Sequence, residues 1–297
     1  MPDRDCFAEK AEWDKLDPAQ RAEVRMRTIC SSRPSCVFCG ISAAHMLGLP
    51  IPYRALSRLH YCIPGDDHSR QLICGVQHTM GKVDSVIVRG VRTTTLEQTV
   101  ADCLCHLDFA SGLAVADSYL RMTGETISQL LARLEKYSRH RGIKQARFVA
   151  QFADPRSESW GESIARATFI ELGYQIPDLQ VEIPNLVEWG RVYRVDYLWK
   201  LPRGKLVAGE FDGKEKYEAP EMTQGRTALE VMSDERVRES RISAAGVTVM
   251  RMNFRDVLDL DKMDRVLSLY GVPRSSVDYG DRFDYRPRTA DRRDDLR

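Results

Sequence analysis

Two periods of apolar residues divide the chain. From Leu96 onward, LEQTVADCLCHLDFA, GLAVADSYLRM and TISQLLARLEKY space their apolar side chains three and four apart, as one helical face requires, and Thr126 with Gln129 has capping-box spacing before the last of them. Upstream, LHYCIP and VDSVIVRGVRTTT are rich in β-branched residues that alternate with polar ones, which predicts strands. Residues 8 to 29 read as a charged helical lead-in, and Ile41 to Leu49 as a short helix closed by Gly48 and Pro50. A second unit begins near Arg156. SESWGESIARATFIELGY reads as a helix with Ile164, Ala165, Thr168, Phe169 and Leu172 on its apolar face and Gly173 at its end. QVEI, VYRVDYLW and KLVAGEF follow as strands, the last two joined by the turn residues Leu201 to Lys205. TALEVMSDERVRESRISAAG is then a long helix, VTVMRM a fourth strand and DLDKMDRVLSLYG a closing helix.

The expected fold class is therefore α/β, a mixed four-stranded sheet flanked by helices, with an N-terminal α+β domain before it. The expected boundaries are a helical lead-in over 1–35, the α+β domain over 36–150, the second domain over 156–272 and a tail over 273–297. That tail is rich in Arg, Asp and Pro, buries almost nothing and is expected to be disordered.

A chain of 297 residues has room for about two domains. Its 44 Lys and Arg nearly balance 43 Asp and Glu, for a formal charge of +1, so any nucleic-acid contact must come from local patches. One such patch is KYSRHRGIK, Lys136 to Lys144, for which a solvated face is the plainer reading. The charged start MPDRDCFAEKAEWDK has no apolar run of signal-peptide length, and no later segment reaches membrane-spanning length. A cytoplasmic protein with no membrane partner is expected.

All eight cysteines precede residue 106 and are expected to be reduced thiols. Cys36 and Cys39 form a CxxC that invites a zinc reading, with His45, Cys62, Cys74 or His78 as further ligands, but no second pair at ligand spacing follows. Both border the apolar stretch CVFCGISAAHMLGLPI, so packing as small hydrophobes is the preferred reading and zinc is not expected. His45 and His60 are read the same way, as core or surface histidines.

The candidate chemistry lies between Arg194 and Tyr217, RVDYLWKLPRGKLVAGEFDGKEKY. Glu210 and Asp212 are two apart on one strand and share a face, with Val207 and Phe211 on the other, and Asp196 joins them if its strand pairs. Clustered like charges call for a cation, and magnesium, a hard ion content with a few carboxylates and water, suits them. The plainer reading is that these acids are solvated or salt-bridged strand ends near Arg191, Arg194, Lys214 and Lys216. Glu235 and Arg238 fall in one helical column with Met232 and Ile242 and should face the sheet, where a structural ion pair competes with a phosphate contact. Arg251 carries the same alternatives. Gln180 is placed to point into the cleft, and Trp160 and Trp199 read as core anchors.

An α-β-β-β-α-β order with an acid on the second strand and a glutamate on the third resembles the PD-(D/E)xK nuclease superfamily, which has a restriction-endonuclease-like fold. From about Ser157 to Leu267, the segments SESWGES, QVEI, VDYLW, GEFDGKEKY, ERVRESRISAAGVTVMR and FRDVL look like domains related to very-short-patch-repair endonucleases. Residues 36 to 122, with ISAAHMLGLP and RTTTLEQTVADCL, resemble the domain found in relatives of AbiEi-type abortive-infection antitoxins. The first resemblance implies that Asp196 and Glu210 hold Mg²⁺ or Mn²⁺, with the Phe211 carbonyl and Asp212 beside them. Glu162 is a third acid whose helical column runs through Ala165 and Phe169 toward the sheet. The superfamily usually has lysine where this chain has Asp212. Lys216 is the best substitute and Lys214 the second, because Gly213 permits a sharp turn.

The implied activity is metal-assisted hydrolysis of DNA phosphodiester bonds, the work of an endodeoxyribonuclease. The competing reading is a catalytically inactive antitoxin-like or regulatory binding protein of a phage-defence system, with a nucleotidyltransferase-like toxin as its partner. The missing lysine and the N-terminal resemblance favour this alternative.

Overall fold

The computed structural model describes residues 8–63, 75–78, 83–212 and 228–277, without the side chains of residues 228, 229, 231 and 232, and the chain divides between Pro155 and Arg156 into two units. The lead-in of the first unit is broken in two, helix α1 over Lys10–Lys15 and α2 over Pro18–Ser32. Pro18 has no N–H to continue a helix, and Asp17 restarts it by accepting from Gln20 N at 2.7 Å. Helix α2 buries Met26 and Ile29, and Arg92 N donates to Cys30 Sγ at 3.4 Å, so the lead-in packs as part of this unit.

Strand β1 (Val37–Phe38), helix α3 (Gly40–Met46) and strands β2 (Leu59–Cys62), β3 (Gly75–His78), β4 (Ser85–Val88) and β5 (Val91–Thr94) follow. Among the described residues these strands form one mixed sheet in the order β3-β2-β1-β5-β4. Arg89 and Gly90 join β4 to β5 with both φ angles positive, as a two-residue hairpin turn demands. Helices α4 (Leu96–His106), α5 (Phe109–Thr123) and α6 (Ile127–Leu134) match the apolar spacing, and the Thr126–Gln129 capping box is present. Helix α7 (Ile143–Ala150) is not among the expected elements, and its first residues, Ile143 and Lys144, end the basic run KYSRHRGIK. It buries Ile143, Ala146 and Val149, and the Phe148 ring meets Phe109 and Phe152.

The second unit is a layer of sheet between helices. Helix α8 spans Trp160–Glu171, followed by strands β6 (Asp178–Pro184), β7 (Val192–Lys200) and β8 (Leu206–Asp212), helix α9 (Ala228–Ala244), strand β9 (Val247–Asn253) and helices α10 (Phe254–Leu258) and α11 (Leu260–Leu269). Among the described residues the sheet runs β6-β7-β8-β9, antiparallel except for the parallel pair β8 and β9. Under α8, Phe169 meets Tyr197 and Trp199 edge-on, each at 5.2 Å between ring centres. Under α9, Ile242 packs with Ile183, Val195, Leu198, Ala208 and Val247. Gly161 lets α8 approach β8, since a Cβ there would stand 2.2 Å from the Phe211 ring.

The chain does not enter its tail directly at Pro273. Gln175 N donates to Pro273 O at 2.9 Å, Ser275 N donates to Gly173 O at 2.9 Å, and the Arg274 guanidinium lies 3.9 Å from the centre of the Tyr174 ring. The expected disorder of the remaining tail concerns residues 278–297, which lie outside the described residues. Among the described residues, no helix is long and apolar enough to cross a membrane.

Candidate functional site

Along β7, side-chain alternation fails at one place. Val195 and Leu198 both pack under α9, whereas Tyr197 and Trp199 lie under α8, so the strand changes its facing between 195 and 197. Strand β6 does the same. Leu179 stands opposite Tyr197, yet Val181 stands opposite Val195 and packs with the α9 cluster. The residues at the change are Gln180 and Asp196. Gln180 has φ +52°, a left-handed conformation that costs a residue with a Cβ on the order of 1–2 kcal/mol. The β7–β8 ladder also stops at Tyr197 opposite Gly209, one step short of Asp196.

The interruption turns Asp196 sideways. Its Oδ2 accepts from Phe211 N on β8 at 2.8 Å, in the place a main-chain carbonyl would take in an unbroken ladder. Its Oδ1 is 3.5 Å from Gln180 Nε2, and the same nitrogen donates to Glu162 Oε2 at 3.1 Å. Glu162 is in the first turn of α8, behind the N-cap Ser159, whose hydroxyl accepts from Glu162 N at 3.2 Å and donates to Oε1 at 2.8 Å. Glu158 N donates to Oε2 at 2.8 Å. Burial raises the Glu162 carboxyl above the ordinary glutamate range against the pull of the Glu158 and Ser159 hydrogen bonds, and the charge of Asp196 adds to the rise. Glu162 thus serves its helix terminus and the acid cluster at once.

Glu210 and Asp212 share the α9 side of β8, as expected from their spacing, but arginines hold them there. Glu210, 7% exposed, accepts from Arg238 Nη2 at 2.9 Å, and Arg238 also donates to Arg194 O at 2.7 Å. Arg251 on β9 binds Asp212 through two nitrogens, at 2.8 and 2.5 Å, and reaches Glu235 at 3.2 Å. Glu235 and Arg238 therefore face the sheet, and both take part in ion pairs. Of the three acids expected to cluster, Asp196 contacts Gln180 and Phe211 N, while Glu210 and Asp212 contact Arg238 and Arg251. Among the described residues, no three His, Cys, Asp or Glu side chains stand close enough to hold a metal ion. Lys214 and Lys216, the candidates for the lysine role, lie outside the described residues, as does the Met232 side chain.

Trp199 is buried and donates to Gln175 O at 2.8 Å, while Trp160 is half-buried against Phe254. In the first unit, Cys36, Cys39 and Cys62 are buried about β1 and β2, and burial pushes the Cys36 thiol up to about 12. His60 contacts His78 at 3.0 Å between ring nitrogens. Sequence reading undervalued Gln180 and Arg251. The apolar run Tyr197-Leu198-Trp199 marks a strand covered on both faces and carries no sign of the change in facing beside Asp196.

No family model matches the chain. Two uncharacterized proteins of Mycobacterium tuberculosis, MT2308 of strain CDC 1551 / Oshkosh and Rv2248 of strain H37Rv, are each 32% identical to it over 141 residues. That stretch covers 47% of this chain and 50% of each relative, so the match spans about half of either protein.

Proposed function

We propose that the second unit acts on nucleic acid as a divalent-cation-dependent phosphodiesterase of restriction-endonuclease-like type, with DNA as substrate. The observation that carries this reading is Asp196, set where the ladders on both sides of its strand open and joined through Gln180 to Glu162. Glu210 stands on the adjoining strand, one register step beyond the Tyr197–Gly209 pair. Interrupted ladders and left-handed side-chain-bearing residues concentrate where a fold gives up regularity to aim a functional group.

The donor chemistry fits Mg²⁺ or Mn²⁺ in part. Asp196, Glu162 and Glu210 offer hard carboxylate oxygens, and such ions need only one or two of them besides water and phosphate. Asp212 does not fit, because Arg251 holds both its oxygens. A bound cation supplies a polarised phosphoryl oxygen and a more acidic water. Of the chain's own residues, Asp196 and Glu210 would hold it, and Arg238, once Glu210 turns to the cation, is placed to meet a phosphate oxygen. Lys216 keeps the role implied by the resemblance, orienting the attacking water. Nicking of supercoiled plasmid by the full chain with Mg²⁺ or Mn²⁺, lost in Asp196→Asn and Glu210→Ala, is the expected result. Equal nicking by wild type and both variants would discard the site.

The arginine pairing also supports a second reading. Glu210 and Asp212 are each neutralised by a partner within the protein, as suits a nucleic-acid or protein-binding module that does not cut, here an antitoxin-like regulator. DNA binding without nicking under any divalent cation would select it.

A further inference from the structure

We propose that Gln180 is the positioning residue of this acid site: its side-chain amide, aimed by a left-handed backbone, holds the Glu162 and Asp196 carboxylates toward one another. The proposal rests on the cation-site reading above and names a residue on which that site depends. An amide nitrogen carries two N–H groups, and Gln180 Nε2 directs them at carboxylates from two different elements, 3.1 Å to Glu162 on α8 and 3.5 Å to Asp196 on β7. One neutral group thus offsets the mutual repulsion of two anions without adding a permanent charge.

The backbone indicates why the residue is a glutamine. At φ +52° glycine would sit without penalty, so packing alone favours no side chain here. The chain nevertheless carries one long enough to reach across the strand interruption. Gln180 also lies opposite Asp196 in the β6–β7 register, where the ladder skips that pair. Asp196 is consequently held from both neighbouring strands, by Phe211 N on one side and by the Gln180 amide on the other.

The test compares the wild-type full chain with Gln180→Gly and Gln180→Leu, titrated with Mn²⁺ by electron paramagnetic resonance and melted in EDTA. The glycine variant relieves the backbone while removing the amide. Its melting temperature should hold or rise while Mn²⁺ affinity falls by about tenfold or more, the usual loss when a partner of a metal ligand is removed. The leucine variant should lose affinity similarly and melt lower. Wild-type affinity in the glycine variant would overturn the proposal. If the wild type itself takes no Mn²⁺, the cation reading fails separately, and the positioning contact is read from the Gln180 side-chain amide resonance in ¹⁵N-labelled protein. That resonance should move in both Glu162→Gln and Asp196→Asn. A resonance indifferent to both substitutions would overturn the proposal.

Discussion

The two units treat their buried polar groups differently. In the first, neutral groups meet one another or a carboxylate: the Thr94 and Thr99 hydroxyls meet at 2.7 Å, Gln98 Nε2 donates to Asp102 at 2.9 Å, and Asp154 N donates to Asp117 at 2.7 Å. In the second, carboxylates between sheet and helix also meet arginines. Glu210 meets Arg238 and Asp212 meets Arg251, while Asp196 and Glu162 share an amide. A buried neutral group needs one hydrogen bond, whereas a buried ion needs a counter-charge and further bonds to offset its lost hydration. Apolar residues of similar volume would hold a sheet and helix together at least as well. The arginine pairs of the second unit are therefore not required simply to hold its sheet and helix together.

The sharpest break in that contrast is Arg238→Ala. It leaves Glu210 buried without this partner, and it should destabilise the protein by about 3 kcal/mol in denaturant melts. Arg238→Ala with Glu210→Gln should recover much of the loss, and a double variant no better than the single would show that the pair is not coupled.

Packing in the second unit is tested next by Gly161→Ala. The new Cβ would stand 2.2 Å from Phe211, and separating α8 from β8 should cost about 2 kcal/mol. Because α8 carries Glu162, Mn²⁺ affinity should fall as well. Unchanged stability would mean that the helix shifts freely.

For the first unit the lever is pH. Burial, followed by the charges of His78, Arg58 and His106, lowers His60 from 6.5 to about 4. The unfolded chain then binds more protons than the folded one between those values. The resulting stability is complete above pH 6.5 and is lost as pH falls through 6.5 toward 4. Its size is on the order of 1 kcal/mol once solvent screening is allowed for. His60→Gln should flatten that limb of a stability–pH profile, and an unaltered limb would remove the histidine pair from the account.

The smallest effect expected is that of Asp212→Asn. Repulsion among Asp196, Glu210 and Asp212 alone would make neutralising Asp212 stabilise the metal-free protein. Its two-point contact with Arg251 reverses the sign, and a loss of about 1 kcal/mol or less is expected for a pair this exposed. Thermal melts in EDTA distinguish the two directions.

Element order in the second unit could be read from the chain, the short helix α10 excepted, because its longer elements carry their own period and stop. Gly173 and Gly246 end helices, and Pro202 with Gly204 turns β7 into β8. Helix α7 was harder to read, since its apolar face is short and a basic run leads into it. Within the site, the face shared by Glu210 and Asp212 followed from their two-residue spacing, and the inward column of Glu235, Arg238 and Ile242 from the helical repeat. Neither rule could reach the turn of Asp196 out of its expected facing. That turn follows from paired irregularities in two strands, and Gln180 adopts a backbone conformation that glutamine seldom takes on its own.

Local sequence thus determined which residues form strands and helices and which acids could face a sheet, because those properties depend on neighbours three or four positions away at most. Tertiary structure decided which charge each acid meets. Arg238 is 28 residues from Glu210 and Arg251 is 39 from Asp212, so their pairing waits for β8, α9 and β9 to pack in the crossover that brings them together. Ion pairing falls off over a few ångströms. No spacing rule along the chain can say which distant arginine will arrive within that range.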